Sequence, residues 1–132
     1  MTTFENDIRL AYISTLLNGR YTLLQDGTEN PTIGFIVGGA TKSETMVLHA
    51  DVEVAEQYAE FQKLWLRYSM KVIQYNDWEG RRLSGVGTWI HEGKIVFDIV
   101  QHFHRLDEAT QQANQRKEIA IWDCKNQKEI TL

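Results

Sequence analysis

The chain has 132 residues, of which 42% are hydrophobic and 24% are charged, and its formal net charge at pH 7 is -4. These values are typical of a folded globular domain and exclude a disordered or fibrous chain. The acidic balance also argues against a large phosphate-binding surface, so we expect no nucleic-acid partner.

Cysteine usage and the lack of long apolar runs predict where the protein works. Cys124 is the only cysteine, so no intramolecular disulfide can form, which favours a reducing compartment. The N-terminal residues are acidic where a secretory signal is basic, and no apolar run approaches the ~20 residues of a membrane span. We therefore expect a soluble cytoplasmic protein with no membrane partner, in a bacterium or a phage-infected cell. Without a linker, residues 1–132 are predicted to form a single domain.

The first segment allows two interpretations. Residues 4–17 repeat apolar side chains every four positions, which predicts a helix that ends at the Asn-Gly step at 18–19. The same Asn-Gly step between apolar runs is also typical of a β-hairpin, so a strand remains the alternative. Both interpretations predict that Ile8, Tyr12 and Leu16 are buried.

Three short strands and a long helix are predicted next. Residues 21–24 and 33–38 are β-prone and flank turn-forming residues, which predicts a hairpin. Residues 45–49 form a third strand, after which Asp51 is placed to cap a helix. Apolar side chains recur every three or four positions over residues 52–71, with charged ones between them. This pattern is typical of an amphipathic helix.

The second half of the chain returns to strands. Residues 72–75 suggest a strand, and residues 76–85 read as a polar loop. Residues 86–90 and 94–103 flank a short glycine-containing turn, which predicts a second hairpin.

A short helix and a late strand complete the pattern. Asp107 is placed to cap a helix that ends near Lys117, residues 119–123 form a strand, and the last residues add an edge strand. The hairpins exclude an all-parallel sheet. The predicted class is therefore α+β, a mainly antiparallel twisted sheet with a long and a short helix packed on one face.

A pattern of histidines suggests a metal site. Alternation along a strand places Asp98, His102 and His104 on one face, and His91 lies in the adjoining turn. Two imidazoles and a carboxylate are ligands of many zinc and non-haem iron sites. However, four residues of strand separate Asp98 from His102 by roughly 13 Å, at about 3.3 Å per residue. The favoured interpretation is surface alternation, with these three side chains in solvent and the opposite face in the core.

Two other segments suggest chemistry only superficially. GFIVGGATKS, residues 34–43, resembles a phosphate-binding loop, but the last glycine does not directly precede the lysine and no helix follows. Gly38 and Gly39 are instead predicted to form a tight turn or bulge. Cys124 follows Asp123, whose carboxylate would raise the thiol pKa, so a buried and unreactive cysteine is expected.

The polar loop carries the best predicted binding residues. Trp78 stands there with Arg81 and Arg82, and tryptophan and arginine are enriched at interface hot spots. The alternative is that Trp78 folds back to cover a sheet edge. The remaining tryptophans fall in regular elements and are predicted to lie in the core: Trp65, Trp89 and Trp122.

Three segments together carry a resemblance. They are GFIVGGA at 34–40, VGTWIHEGKIVFD at 86–98, and EIAIWD followed by EI within 118–130. In this combination the chain resembles small uncharacterised proteins encoded by phages, plasmids and other mobile elements. The resemblance implies an accessory gene and supplies no activity or catalytic residue.

The leading functional hypothesis is a non-catalytic accessory protein of a mobile element that binds another protein, and that could also pair with a second copy as a homodimer. We expect no cofactor. The alternative is a small metal-dependent enzyme that uses His102, His104 and either His91 or Asp98. That alternative requires the side chains to line an open concavity with converging imidazole nitrogens.

Overall fold

A computed structural model describes residues 3–49, 54–75 and 82–132 of the chain. The helices in this part are α1 (Thr3–Asn18), α2 (Val54–Gln74) and α3 (Leu106–Gln115). The strands are β1 (Arg20–Leu24), β2 (Phe35–Val37), β3 (Glu44–Val47), β4 (Ser84–His91), β5 (Lys94–Phe103), β6 (Ala120–Asp123) and β7 (Lys128–Thr131). The predicted α+β class is confirmed.

All seven strands belong to one antiparallel sheet with the order β1-β4-β5-β2-β6-β7. The long strand β5 is central, because β3 pairs with its first half and β2 with its second half. The predicted β4–β5 hairpin is confirmed. Glu92 and Gly93 form its two-residue turn with φ of 50° and 75°, the left-handed backbone that suits the twist of paired strands.

Helices α1 and α2 cover one face of the sheet. Along β5, Ile95, Phe97 and Ile99 point toward these helices and are fully buried. They meet an aromatic cluster in which the rings of Phe61 and Trp65 stack at 5.9 Å between centroids. The recurring apolar positions of α2 supply this cluster, so the predicted amphipathic helix is confirmed.

Helix α3 covers the same face further along. Its Ala109 and Ala113 pack on Val37, Phe103 and Ile121. Phe103 lies an even number of residues after the core residue Phe97 on β5, so both side chains point to one face. All three helices therefore lie on one side, and the other face of the sheet carries no helix in the described part of the chain.

The first segment is a helix, so the strand alternative is wrong. Ile8 and Tyr12 are buried as predicted, but Leu16 is 40% exposed. The reason is the helix orientation, because Thr15 points inward instead and its hydroxyl lies 2.6 Å from that of Thr88 on β4.

The first predicted hairpin is also wrong. Strand β1 pairs with β4, and β2 pairs with β5 and β6. The β4–β5 hairpin inserts between β1 and β2 in the sheet. Such non-local pairing is decided by packing of the whole sheet and leaves no trace in the local turn residues.

Two predicted helix boundaries need correction. Residues 72–74 continue α2 rather than forming a strand, because Val72 extends the buried helical stripe. The cap position of α3 is occupied by Arg105, without a side-chain cap, and α3 ends at Gln115 rather than near Lys117. Asp107 is the second residue of the helix, and its Oδ2 lies 2.7 Å from a guanidinium nitrogen of Arg105. The proposed cap Asp51 lies outside the described residues.

No helix within residues 3–49, 54–75 and 82–132 is both long and apolar enough to cross a membrane.

Candidate functional site

Glycines in β4 curve the sheet around its helix-free face. A Cβ on Gly85 would collide with the Leu23 carbonyl oxygen and lie 2.8 Å from Leu24 Cα. Strand β1 therefore approaches the backbone of β4 more closely than any residue with a side chain permits. Glycine inside a strand commonly marks such a bend. Gly85 points to the helix-free face, because its neighbour Val86 points into the core. Strand β1 therefore bends over the helix-free face, where the strands line a concavity.

Side chains from β1 and β6 meet across the concave face. The guanidinium of Arg20 on β1 lies 3.4 Å from the ring centroid of Trp122 on β6, although three strands separate β1 from β6 in the sheet order. Burial lowers the pKa of Arg20 to about 10, while the nearby Cys124 and Glu129 act in the opposite direction. Arg20 is therefore charged at neutral pH, as a cation–π contact with an indole ring requires.

One end of the concavity is filled with side chains. Leu24, Ile36, Val100 and Cys124 form a buried cluster there, against which Trp122 packs. Burial raises the pKa of the Cys124 thiol to about 11, with a smaller contribution from Asp123. Cys124 is buried, as predicted.

The other end is an open pocket of about 400 Å³. Its walls come from β1, β2, β4, β5, β6 and β7, and its ionisable lining groups are Arg20, His91, Asp98, Glu118 and Glu129. A second cavity of about 330 Å³ shares lining residues with this pocket, among them Arg20 and Trp122.

Asp98 forms the floor of the pocket. It lies on the face of β5 opposite the core, yet it is only 8% exposed. The amide N–H of Gly39 donates to both of its carboxylate oxygens, at 3.0 and 3.1 Å. A Cβ on Gly38 would collide with Asp98 Oδ2, so only glycine leaves room for the carboxyl group. Gly39 has a φ of 74°, the positive value that the sequence analysis expected for this pair.

Glu118 brings a second carboxyl group to the same place. A Cβ on Gly38 would also lie 2.9 Å from Glu118 Oε1, so both carboxyl groups lie against the same glycine. Burial raises the pKa of Asp98 to about 7, and the charge of Glu118 acts in the same direction. Burial also raises the pKa of Glu118. Titratable groups with pKa values moved toward neutrality are typical of functional sites.

Arg116 lies near this acid pair, and its charge acts to lower the pKa values of both Asp98 and Glu118, against the effect of burial. Its guanidinium donates to the Gly38 carbonyl oxygen at 3.1 Å and to Gln101 Oε1. Its charge lowers the pKa of Asp98 only as a minor cause. Among the described residues it makes no ion pair with either carboxylate.

The predicted histidine site is only partly assembled. His102 and His104 lie with ring centroids 5.0 Å apart. His102 Nε2 lies 2.7 Å from the Ile33 carbonyl oxygen, and because that oxygen can only accept, Nε2 carries the proton and is not free for a metal. His91 pairs with the start of β5, roughly 26 Å along the strand from His102 at about 3.3 Å per residue.

The predicted surface alternation is also corrected. Asp98 and His102 are buried, at 8% and 7% exposure, and only His104 is in solvent. Over the described ranges, no group of three or more histidine, cysteine, aspartate or glutamate side chains could hold a metal ion. The metal-dependent alternative therefore gains no support from the geometry.

The structure describes only one of the three residues that were predicted to bind a partner. Trp78 and Arg81 lie outside the described residues. Arg82 lies 4.7 Å from the ring centroid of Phe103 and 3.7 Å from Glu108 Oε2. Arg82 therefore already makes contacts within the protein.

The pocket was not predicted from the sequence, because the tryptophans that line it were expected to lie in the core. Trp65 is buried as predicted, but Trp89 and Trp122 are half-buried and line the pocket. The glycines at 85 and 87, alternating in a strand, were the available signal for a bent sheet.

Comparisons with family models, with curated proteins and with solved structures found no match to the chain. The resemblance to proteins of mobile elements stays a prediction.

Proposed function

We propose that the protein binds a small organic molecule in the concave pocket of its sheet. The observation that carries this proposal is Asp98, a buried carboxyl group at the floor of an open pocket. A buried carboxylate is costly unless it is well paired, and among the described residues Asp98 is held only by backbone amides, those of Gly39 and Ile99. A ligand that completes its hydrogen bonds would explain why it is there.

The shape of the pocket supports the same function. Its volume, about 400 Å³, falls in the range of roughly 300–1,000 Å³ that is typical of small-molecule sites. Trp89 and the neighbouring isoleucines supply apolar walls, and the two acids converge at one end. A mainly apolar cavity with a few convergent polar groups is the usual form of such sites.

Filling the pocket tests the proposal. Ala120 is half-buried in its β6 wall, and Ala120→Phe places a ring inside it. In a fragment panel followed by NMR, wild-type shifts are expected at the indole N–H groups of Trp89 and Trp122. The filled variant should lose at least about tenfold in affinity, or about 1.4 kcal/mol.

The matched control is Ala59→Phe, at an exposed position of α2, which should leave binding unchanged. Both variants are first checked by circular dichroism and thermal melting. Equal binding by wild type and the filled variant, or a panel that never shifts the two indoles, would contradict the proposal.

One observation favours the predicted protein-binding function as a second candidate. Helix α1 is apolar on both sides: opposite its buried face, Leu10, Ile13 and Leu17 are 42%, 46% and 78% exposed. On the adjacent helix α2, Leu66 and Met70 are exposed as well. An uncharged apolar stripe is complementary to itself, as a two-fold interface requires. We therefore take a second copy of the chain as its occupant.

Leu17→Glu is expected to convert such a dimer into a monomer, because it buries a charge in an apolar contact. The measurement is molar mass by light scattering across a concentration series. Gln111→Glu adds the same charge at an exposed position of α3 and should leave the mass unchanged. A wild-type protein that stays monomeric at every concentration would remove this candidate.

A further inference from the structure

We infer that the pocket selects a small organic cation, whose ammonium group lies between Asp98 and Glu118 while its apolar body lies against Trp89. This inference rests on the proposed binding function and deepens it. It follows from the distribution of charge, from unused hydrogen-bonding capacity and from the placement of the aromatic wall.

Most of the ionisable groups in the described lining of the pocket are acidic. It contains the carboxyl groups of Asp98, Glu118 and Glu129 against the single guanidinium of Arg20, with His91 at the rim. Arg20 is already stacked on Trp122 and lies in the field of Glu129. The acid pair at the other end therefore sets the preference for a ligand, and an anionic ligand would be repelled there.

The acid pair also has acceptors to spare. An ionised carboxylate has about four acceptor sites, and an ammonium group has three donors. Within the described residues Asp98 receives the backbone N–H groups of Gly39 and Ile99, and the guanidinium of Arg116 is bound to Gly38 and Gln101 instead. A ligand ammonium can supply the missing donors together with the missing charge.

Trp89 is the wall that remains for the apolar body of the ligand. On β4 its position faces Val96 of β5, beside the Gly87–Asp98 pair. Gly87 leaves no side chain between the indole and the carboxyl group. Trp122 already holds a cation on its ring, whereas the described ring beside Trp89 is that of His91, tilted at 5.0 Å between centroids. Aromatic faces attract both cations and apolar groups.

Ionisation of Asp98 gives the inference a pH dependence. The described groups that act on Asp98 are the amides of Gly39 and Ile99, the charges of Glu118 and Arg116 and, through the sheet, Tyr68. With the Asp98 pKa raised to about 7, the carboxyl group is mostly protonated at pH 6 and ionised at pH 8. Affinity for an ammonium should therefore rise across this interval, and affinity for a neutral analogue should not.

The experiment uses three probes with a common ring: phenethylammonium, phenethyl alcohol and phenylacetate. Each is titrated into the full chain at pH 8, and the indole N–H of Trp89 is followed by NMR. The ammonium should bind at least about tenfold more tightly than the alcohol, and the carboxylate should bind most weakly. In Asp98→Asn the ratio of ammonium to alcohol affinity should fall to about one, and in Glu118→Gln to an intermediate value.

The outcomes separate this inference from the function on which it rests. If the alcohol binds in the pocket as tightly as the ammonium, or the carboxylate binds most tightly, the cation preference is wrong and the pocket remains a binding site. If the ratio is unchanged in Asp98→Asn, the assigned acid is wrong. If neither these probes nor the fragment panel shifts the two indoles, both proposals fail.

Discussion

Asp98→Asn is expected to raise the free energy of unfolding at pH 8 by about 2–4 kcal/mol. The variant removes a buried charge, and its amide oxygen can still accept from the Gly39 N–H. The effect is large because folding moves the Asp98 pKa from 3.8 to about 7. The variant's stability should also depend less on pH than that of the wild type.

The direction of the pH effect follows from proton counts. Between about pH 4 and pH 7 the folded protein holds the Asp98 proton and the unfolded chain does not, so raising the pH favours unfolding. The wild type should therefore gain stability from this group as the pH falls from 8 to 5. Urea denaturation of both proteins at the two pH values measures the difference.

Asp107→Asn is the control for this prediction. Asp107 is exposed and paired with Arg105, so its replacement should not stabilise the protein and should cost at most about 1 kcal/mol. An Asp98→Asn protein less stable than wild type at pH 8 would contradict the assignment of Asp98 as an underpaired buried acid. Residues of functional sites often lower the stability of the fold, because they serve binding instead. A stabilising Asp98→Asn substitution would fit that pattern.

Gly85→Ala is expected to be the most damaging single change in the sheet, with a loss above about 4 kcal/mol or no folded protein. The new Cβ would collide with backbone atoms of Leu23 and Leu24, and a paired backbone cannot move aside without breaking strand hydrogen bonds. The sheet would have to flatten, so the pocket should open at the same time. Chemical denaturation and soluble yield measure the effect.

Gly87→Ala is the matched comparison. Its Cβ would lie 2.8 Å from Val100 Cγ1, a side-chain atom that can shift, so the expected loss is about 1–3 kcal/mol. The test is whether Gly85→Ala loses more free energy of unfolding than Gly87→Ala. If Gly85→Ala were tolerated as well as Gly87→Ala, the bend in β4 would not be what shapes the concave face.

Elements with one clear periodicity could be predicted from the sequence. Helix α2 buries one face and leaves the other in solvent, so its apolar spacing identifies it. The β4–β5 hairpin is buried on both faces over most of its length, and its glycine-containing turn identifies it instead. Helix α1 could not be separated from a strand, because its exposed Leu10, Ile13 and Leu17 obscure the helical pattern.

Sheet order and the site could not be predicted in the same way. The insertion of the β4–β5 hairpin between β1 and β2 depends on non-local packing. The same insertion brings Asp98 on β5 beside Glu118 ahead of β6, although no sequence spacing connects them. The alternation along β5 did place Asp98 on the correct face, but burial on that face comes from sheet curvature, which a strand pattern does not encode.

The most direct measurement is the pKa of Asp98 itself, followed through its side-chain carboxyl carbon by NMR, in the free protein and with phenethylammonium or phenethyl alcohol. The account predicts a value near 7 in the free protein, a fall when the ammonium is added, and no fall with the alcohol. A free value near that of an ordinary aspartate, or a value that the ammonium leaves unchanged, would contradict it.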